Sequence, residues 1–212
     1  MAPKLVSLDL DGTLIHPAIF NAVAEPLGFG DKLAETTRLY FEGKMTADET
    51  FHADYKNFVG RRVDEMLDAL RASDAWTPGI REGVAALHDA GMRVAVTTDQ
   101  PEFLVQIVRE LFGVDHLVCT PAEVRNGRVA GGYDLQHDKW ANLARTLAAL
   151  KIDPREAAHV GNGSNDVPVF RRVGYSIAVN PMNEGVRSGA VDVVEKLEDL
   201  SQLTELLLGR RP

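Results

Sequence analysis

From residue 77 onward, short apolar runs alternate with helix-length amphipathic stretches, and this alternation constrains the fold more than any other feature of the chain. Thr77-Pro78-Gly79 reads as a helix start with proline in the first turn. Ile80, Val84 and Leu87 then mark one apolar face, and Gly91 ends the helix. The pattern predicts a strand over 92–96, a helix over 101–112 and a short strand over 114–119. A helix over 137–150 and a strand over 157–160, stopped by Gly161, come next. Strands over 175–179 and 191–194 and a closing helix over 197–208 complete the series. Apolar strands separated by helices imply a parallel sheet covered on both faces. The predicted fold class is therefore α/β, a three-layer, doubly wound, mostly parallel sheet.

Residues 16–76 break that rhythm. They contain four helix-like stretches and no convincing strand, with a capping-box pattern at Thr46-Ala47-Asp48-Glu49 and a helix over 61–73 that groups Val63, Met66, Leu67 and Leu70. The expected division is a core of 1–15 and 77–212 with a four-helix cap, 16–76, placed as a lid over the first strand's end. A small hairpin insertion is expected near 123–132, where Asn126-Gly127 lies between Val124 and Val129.

Bulk properties narrow the function. With 212 residues, 45% hydrophobic and 25% charged, the chain suits one large core or a core plus a small accessory unit. A net charge of −8 argues against a nucleic-acid surface, and Arg61-Arg62, Arg171-Arg172 and Arg210-Arg211 read as solvated pairs. No window is apolar over a bilayer-crossing length, so no membrane partner is expected. The single Cys119 cannot form an internal disulfide, which makes a reducing cytoplasm the simplest location.

The chemistry concentrates at strand ends. Asp9 and Asp11 stand two apart at the end of an apolar run, in Leu8-Asp9-Leu10-Asp11-Gly12-Thr13, so a strand aims both carboxylates to one side. Two like charges so placed need a cation or a proton between them. Thr97 ends the next strand, where its hydroxyl and the following amides could hold an anion; Thr97, Thr98 and Asp99 also read as caps of the helix that follows. Lys139 opens a helix. Gly161-Asn162-Gly163-Ser164-Asn165-Asp166 is a glycine-punctuated polar loop suited to tight packing around a phosphate or metal.

In order and spacing, Asp9-Leu10-Asp11-Gly12-Thr13, the strand ending in Thr97, Lys139, and Gly161 through Asp166-Val167-Pro168 resemble the four motifs of the haloacid dehalogenase (HAD) superfamily. The helical block resembles its type 1 cap, and the layout is similar to the phosphoserine phosphatase branch. The resemblance implies a Mg²⁺-dependent phosphomonoester hydrolase acting on a small phosphorylated substrate. It casts Asp9 as nucleophile, forming an aspartyl-phosphate, and Asp11 as general acid. Gly12, Thr13, Thr97, Thr98 and Lys139 would hold the phosphoryl group, Lys139 also pairing with Asp9. Asp9, Asp11, Asn162 and Asp166 would serve the metal.

Three departures from the branch concern specificity and metal. Asn162 stands where the usual metal-binding aspartate does. Ala18 replaces a substrate-reading glutamate, and Asp54 an arginine that would grip a carboxylate. Asp54 is expected to repel a carboxylate, which makes phosphoserine a poor candidate. His16, Phe20, Phe51, His52, Tyr55, Lys56 and Phe58 are the cap residues placed to meet a substrate, each with a plainer reading as bundle core or surface. Two other functions fit the same motifs: a phosphotransferase or mutase, and a weakly active or inactive phosphate- or protein-binding module.

Overall fold

The computed structural model describes residues 3–209. Six strands, β1 (Leu5–Leu8), β2 (Arg93–Pro101), β3 (His116–Thr120), β6 (Ala157–Gly161), β7 (Tyr175–Val179) and β8 (Asp192–Val194), form one parallel sheet in the order β3-β2-β1-β6-β7-β8. Side chains alternate across it. Val6, Leu8, Val94, Val96 and Val160 enter the larger apolar cluster with α5 (Ile80–Asp89), α6 (Glu102–Phe112) and α10 (Ser201–Leu208). Leu5 and Ala95 face the other way, onto Leu143 and Leu147 of α7 (Lys139–Leu150) and Val169 of α8 (Val167–Phe170). The helix α9 (Glu184–Gly189) extends that layer through Val186. The chain leaves β1 toward β2 on one side, while β6 flanks it on the other. In open α/β sheets the ligand crevice lies at such a reversal, beyond the carboxyl ends of the strands.

Most of the expected elements are present, and the differences in their ends have local causes. The strand expected to stop at 96 continues through Thr97 and Thr98 to Pro101, with a register shift against β3 after Thr97. Helix α6 consequently starts after Pro101 with no side-chain cap, so Thr97, Thr98 and Asp99 are not its caps. Helix α7 starts at Lys139 because Asp138 is its N-cap, accepting from the Ala141 amide at 2.8 Å. The closing helix begins at Ser201, four residues later than its apolar pattern suggests.

Between β1 and α5 lie α1 (Ile19–Ala24), α2 (Gly30–Phe41), α3 (Ala47–Tyr55) and α4 (Val63–Arg71). The capping box at Thr46 forms as read. This helical insert closes on aromatic contacts: Phe58 lies 4.4 Å from Phe20 and 5.2 Å from Phe29, and Tyr55 lies 4.2 Å from Tyr133. Phe20, Tyr55 and Phe58 are buried in this cluster. The chain enters and leaves the insert side by side, His16 N–H donating to Ala75 O and Thr77 N–H to Leu14 O, both at 2.9 Å.

Strands β4 (Ala122–Arg125) and β5 (Arg128–Tyr133) form the hairpin, and both turn residues are left-handed, Asn126 at φ 51° and Gly127 at φ 71°. That is the type I′ turn which asparagine–glycine favours. The hairpin also grips the insert: Gly60 N–H donates to Val129 O, Val63 N–H to Gly127 O, and Val129 N–H to Arg61 O.

Asp54 departs from its expected role. Its carboxylate is buried and accepts from Thr36 Oγ1 of α2, so it belongs to the packing between α2 and α3. Burial raises its carboxyl from the usual range to about 6, against the bond from Thr36. An acid with a raised folded pKa binds protons more readily folded than unfolded. Stability is therefore greatest below the unfolded value and falls as pH rises toward 6. The midpoint of thermal unfolding should drop between about pH 4 and about pH 6.5, and Asp54→Asn should shrink that drop relative to the parent chain. Parallel pH profiles for the two proteins would remove Asp54 as the cause.

Candidate active site

The site forms where β1 runs out between β2 and β6. Asp9 N–H continues the sheet by donating to Val160 O at 2.8 Å, which sets its buried carboxylate beyond the strand ends. Leu10, Leu14 and Ile15 bury completely beneath the turn that follows. Gly12 sits at φ 79°, and a Cβ there would lie 2.0 Å from Asn162 Nδ2, so the turn requires glycine and the Asn162 side chain lies directly over it. Asn180, after β7, donates to Gly12 O at 3.0 Å and supports the turn from the other side.

Lys139 joins the parts. Its Nζ, buried at the start of α7, donates to Asp9 Oδ1 at 2.8 Å and to Asp166 Oδ1 at 2.6 Å. Burial opposes its charge, but Asp166, Asp9 and Asp99 more than reverse that, and the ammonium is held well above its ordinary range. Burial raises Asp166 too, yet Lys139 and His159 outweigh it and keep that carboxylate ionised. Asp9 moves the other way. Burial and the neighbouring Asp166 raise it despite Lys139, because one ammonium is shared between two carboxylates.

Asp11 accepts from Ile19 N–H at 2.8 Å and from Gln100 Nε2. Burial pushes its carboxyl up to about 6, with both hydrogen bonds resisting. Near neutral pH such a group exchanges a proton readily, as a general acid and base must.

A buried polar chain runs beneath this centre. His159 Nε2 meets Asp166 Oδ1 at 2.9 Å, His159 Nδ1 meets Ser7 Oγ at 3.0 Å, and Ser7 Oγ meets Thr97 Oγ1 at 2.8 Å. Burial lowers the His159 pKa, so its ring is neutral at pH 7. The ionised Asp166 only accepts, so Nε2 carries the proton and Nδ1 is the acceptor. Ser7 must then donate to His159, and Thr97 must donate to Ser7. The Thr97 hydrogen is committed to the protein interior. Thr98 Oγ1 instead accepts from Gln100 N–H at 3.2 Å, which leaves its own hydrogen for another acceptor.

The structure thus brings Asp9, Asp11, Lys139, Asn162 and Asp166 together, and it alters what several candidates can offer. Gly12 N–H donates to Ile15 O and Thr13 N–H to Leu10 O, so both amides serve the turn. Asp166 Oδ2 accepts from the amides of Asn162 and Gly163 at 3.0 and 2.9 Å, so neither of its oxygens is spare. It holds the loop and the lysine. The sequence reading missed Ser7, Asp99, Gln100, His159, Asn165 and Asn180. Ser7 and His159 carried a usable signal: each is a polar residue inside an apolar strand, two positions before Asp9 and Gly161 respectively.

As for a cation, no group of three His, Cys, Asp or Glu side chains converges among the described residues. The donors at the turn are one carboxylate, a main-chain carbonyl and the Asn162 amide, all hard oxygens that suit Mg²⁺. The raised Asp9 shows the same need, since a further positive charge beside it would restore its ionised form.

These hydrogen-bond directions separate two neighbouring threonines. Thr97→Val should cost stability, about 1 kcal/mol for a lost buried hydrogen bond, while affinity for inorganic phosphate stays within about twofold. Thr98→Val should weaken phosphate by roughly tenfold, about 1.4 kcal/mol. Titration of both variants by calorimetry checks the pair, and the reverse ranking would contradict the assigned directions.

A family model described as haloacid dehalogenase-like hydrolase matches residues 6–171. A phosphoserine phosphatase of Archaeoglobus fulgidus is 27% identical over 97% of this chain, which spans 58% of that enzyme's length. A phosphoserine phosphatase of Albidiferax ferrireducens is 27% identical, covering 89% of this chain and 86% of its own. The solved HAD-family hydrolase of Salmonella enterica subsp. enterica serovar Typhi shares the fold at TM-score 0.84 and 19% identity, over 96% of this chain and 71% of that one. Because the matched span runs from β1 past the loop that holds Asp166, it contains Asp9, Asp11, Lys139, Asn162 and Asp166, and the chain belongs to the haloacid dehalogenase-like hydrolases.

Proposed function

We propose that the chain hydrolyses phosphomonoesters of small metabolites, with Asp9 as the nucleophile and residues 16–76 as a cap over the core. The observation that carries this reading is the buried Lys139–Asp9 pair at 2.8 Å, two residues from a second carboxyl group raised to about 6. Lys139 fixes the orientation of Asp9, so its other oxygen can attack phosphorus and the ester oxygen departs. Asp11 gives its proton to that leaving oxygen, then takes one from the water that attacks the aspartyl-phosphate. Thr98 and Lys139 hold phosphoryl oxygens through both steps. Mg²⁺, bound by Asp9, the Asp11 carbonyl and Asn162, would screen the carboxylate from the incoming phosphate.

The relatives named phosphoserine phosphatases support phosphoester hydrolysis, but they do not define the substrate here. The resemblance puts Ala18 where that branch carries a substrate-reading glutamate, and Asp54 is turned into the insert's own packing. No helix among the described residues is long and apolar enough to cross a membrane. A cytoplasmic location accords with the free, half-buried Cys119, whose thiol its partial burial raises to about 12 and so keeps protonated.

Phosphate release from p-nitrophenyl phosphate should require Mg²⁺ and stop on adding EDTA. Asp9→Asn should reduce it at least roughly a thousandfold. Hydrolysis at near-parent rate in that variant would assign the reaction to another group. Asn162→Asp adds a charge beside the metal and should lower the Mg²⁺ concentration for half-maximal rate by roughly tenfold. Unchanged metal dependence would remove Asn162 from the ligand set.

A further inference from the structure

We infer that the leaving group of the substrate is neutral or cationic and carries hydrogen-bond donors, received by Asp99 and Gln100 at the end of β2. The inference rests on the phosphatase reading above and names the class of ester that this site accepts.

Both residues stand at the catalytic groups with an acceptor to spare. Gln100 donates its amide nitrogen to Asp11 Oδ2, and since a carboxylate only accepts, its Oε1 is the end turned away. That oxygen is buried and lacks a hydrogen-bond partner among the described residues. Asp99 is held through Oδ2, which accepts from Asn165 Nδ2 at 3.0 Å, and its Oδ1 is likewise buried without a partner. Buried acceptors are normally satisfied, and two unmatched ones on consecutive residues beside the general acid call for a donor arriving with the ligand. A hydroxyl or an ammonium supplies one.

Charge points the same way. Asp9, Asp11, Asp99 and Asp166 surround a single ammonium, Lys139, two of whose three hydrogens go to Asp9 and Asp166, the third being left for the phosphoryl group. The four arginines of the helical insert are engaged elsewhere. Arg38 pairs with Glu35 and Glu42, Arg61 donates to Asn57 O, Arg62 pairs with Asp64, and Arg71 with Asp68 and Glu110. A carboxylate on the leaving group would meet the unpartnered Asp99 Oδ1 with no arginine of the insert free to pair it.

Phosphoethanolamine and phosphoserine test this directly, because they differ only by one carboxylate. With Mg²⁺, kcat/KM for phosphoethanolamine should exceed that for phosphoserine by at least about tenfold, and glycerol 3-phosphate, neutral and donor-rich, should also exceed it. Asp99→Asn should narrow the phosphoethanolamine-to-phosphoserine ratio, chiefly through KM. Equal or better use of phosphoserine, with p-nitrophenyl phosphate still hydrolysed, overturns the inference while leaving the phosphatase reading intact. Failure of every ester, p-nitrophenyl phosphate included, overturns that reading and this inference with it. If Asp99→Asn does not fold, the comparison of the two esters by the parent protein decides alone.

Discussion

Lys139 is a buried ammonium shared by two buried carboxylates, and the site is built around that triangle. Removing one partner from such a cluster leaves an uncompensated charge, at a cost of roughly 3–5 kcal/mol. The surroundings are arranged to prevent this. Asp138 caps α7 and fixes where its first lysine points; Asp166 is held by two loop amides and by His159. Asp9 is held by the backbone of β6. Three separate elements, β1, α7 and the loop after β6, therefore meet at one nitrogen. The helical insert joins the same centre through Ile19 N–H on Asp11.

The charge balance explains why two neighbouring acids behave differently. Asp166 has a lysine, a histidine and two amides, and it stays ionised. Asp9 has its lysine partner at one oxygen and is lifted by burial and by Asp166. One carboxylate is structurally satisfied and the other is left needing a cation, which is the state a metal-assisted nucleophile requires. Asn162 contributes an amide where a further carboxylate would add to the repulsion, and Asp99 brings negative charge back on the leaving-group side.

What the sequence revealed follows from the range of each interaction. Strand alternation, the Thr46 capping box and the Asn126-Gly127 turn are encoded within a few residues, and all three were legible. So was the meeting of Asp9, Asp11 and Lys139, because the motif resemblance supplied the long-range link. Thr97, read as a strand-end hydroxyl that could hold an anion, lies within β2 because the strand runs on past 96, and its neighbours across the sheet are Ser7 and, through it, His159. Strand parity decides which face a hydroxyl joins, and no local pattern shows where a strand stops. Asp54 was taken for a charge facing substrate; its partner Thr36 lies on another helix, and only helix packing reveals it. Asp99 and Gln100 were invisible as a pair because nothing in the sequence shows which of their atoms lack partners.

The central claim is that the Lys139-paired carboxylate takes up the phosphoryl group. The most direct measurement is rapid acid quenching of the protein during turnover of p-nitrophenyl phosphate with Mg²⁺, followed by mass mapping of the peptide that carries Asp9 and Asp11. A phosphoryl adduct on Asp9, forming and decaying at rates compatible with turnover, is the predicted result. Turnover without any adduct, or an adduct on a different residue, would contradict it.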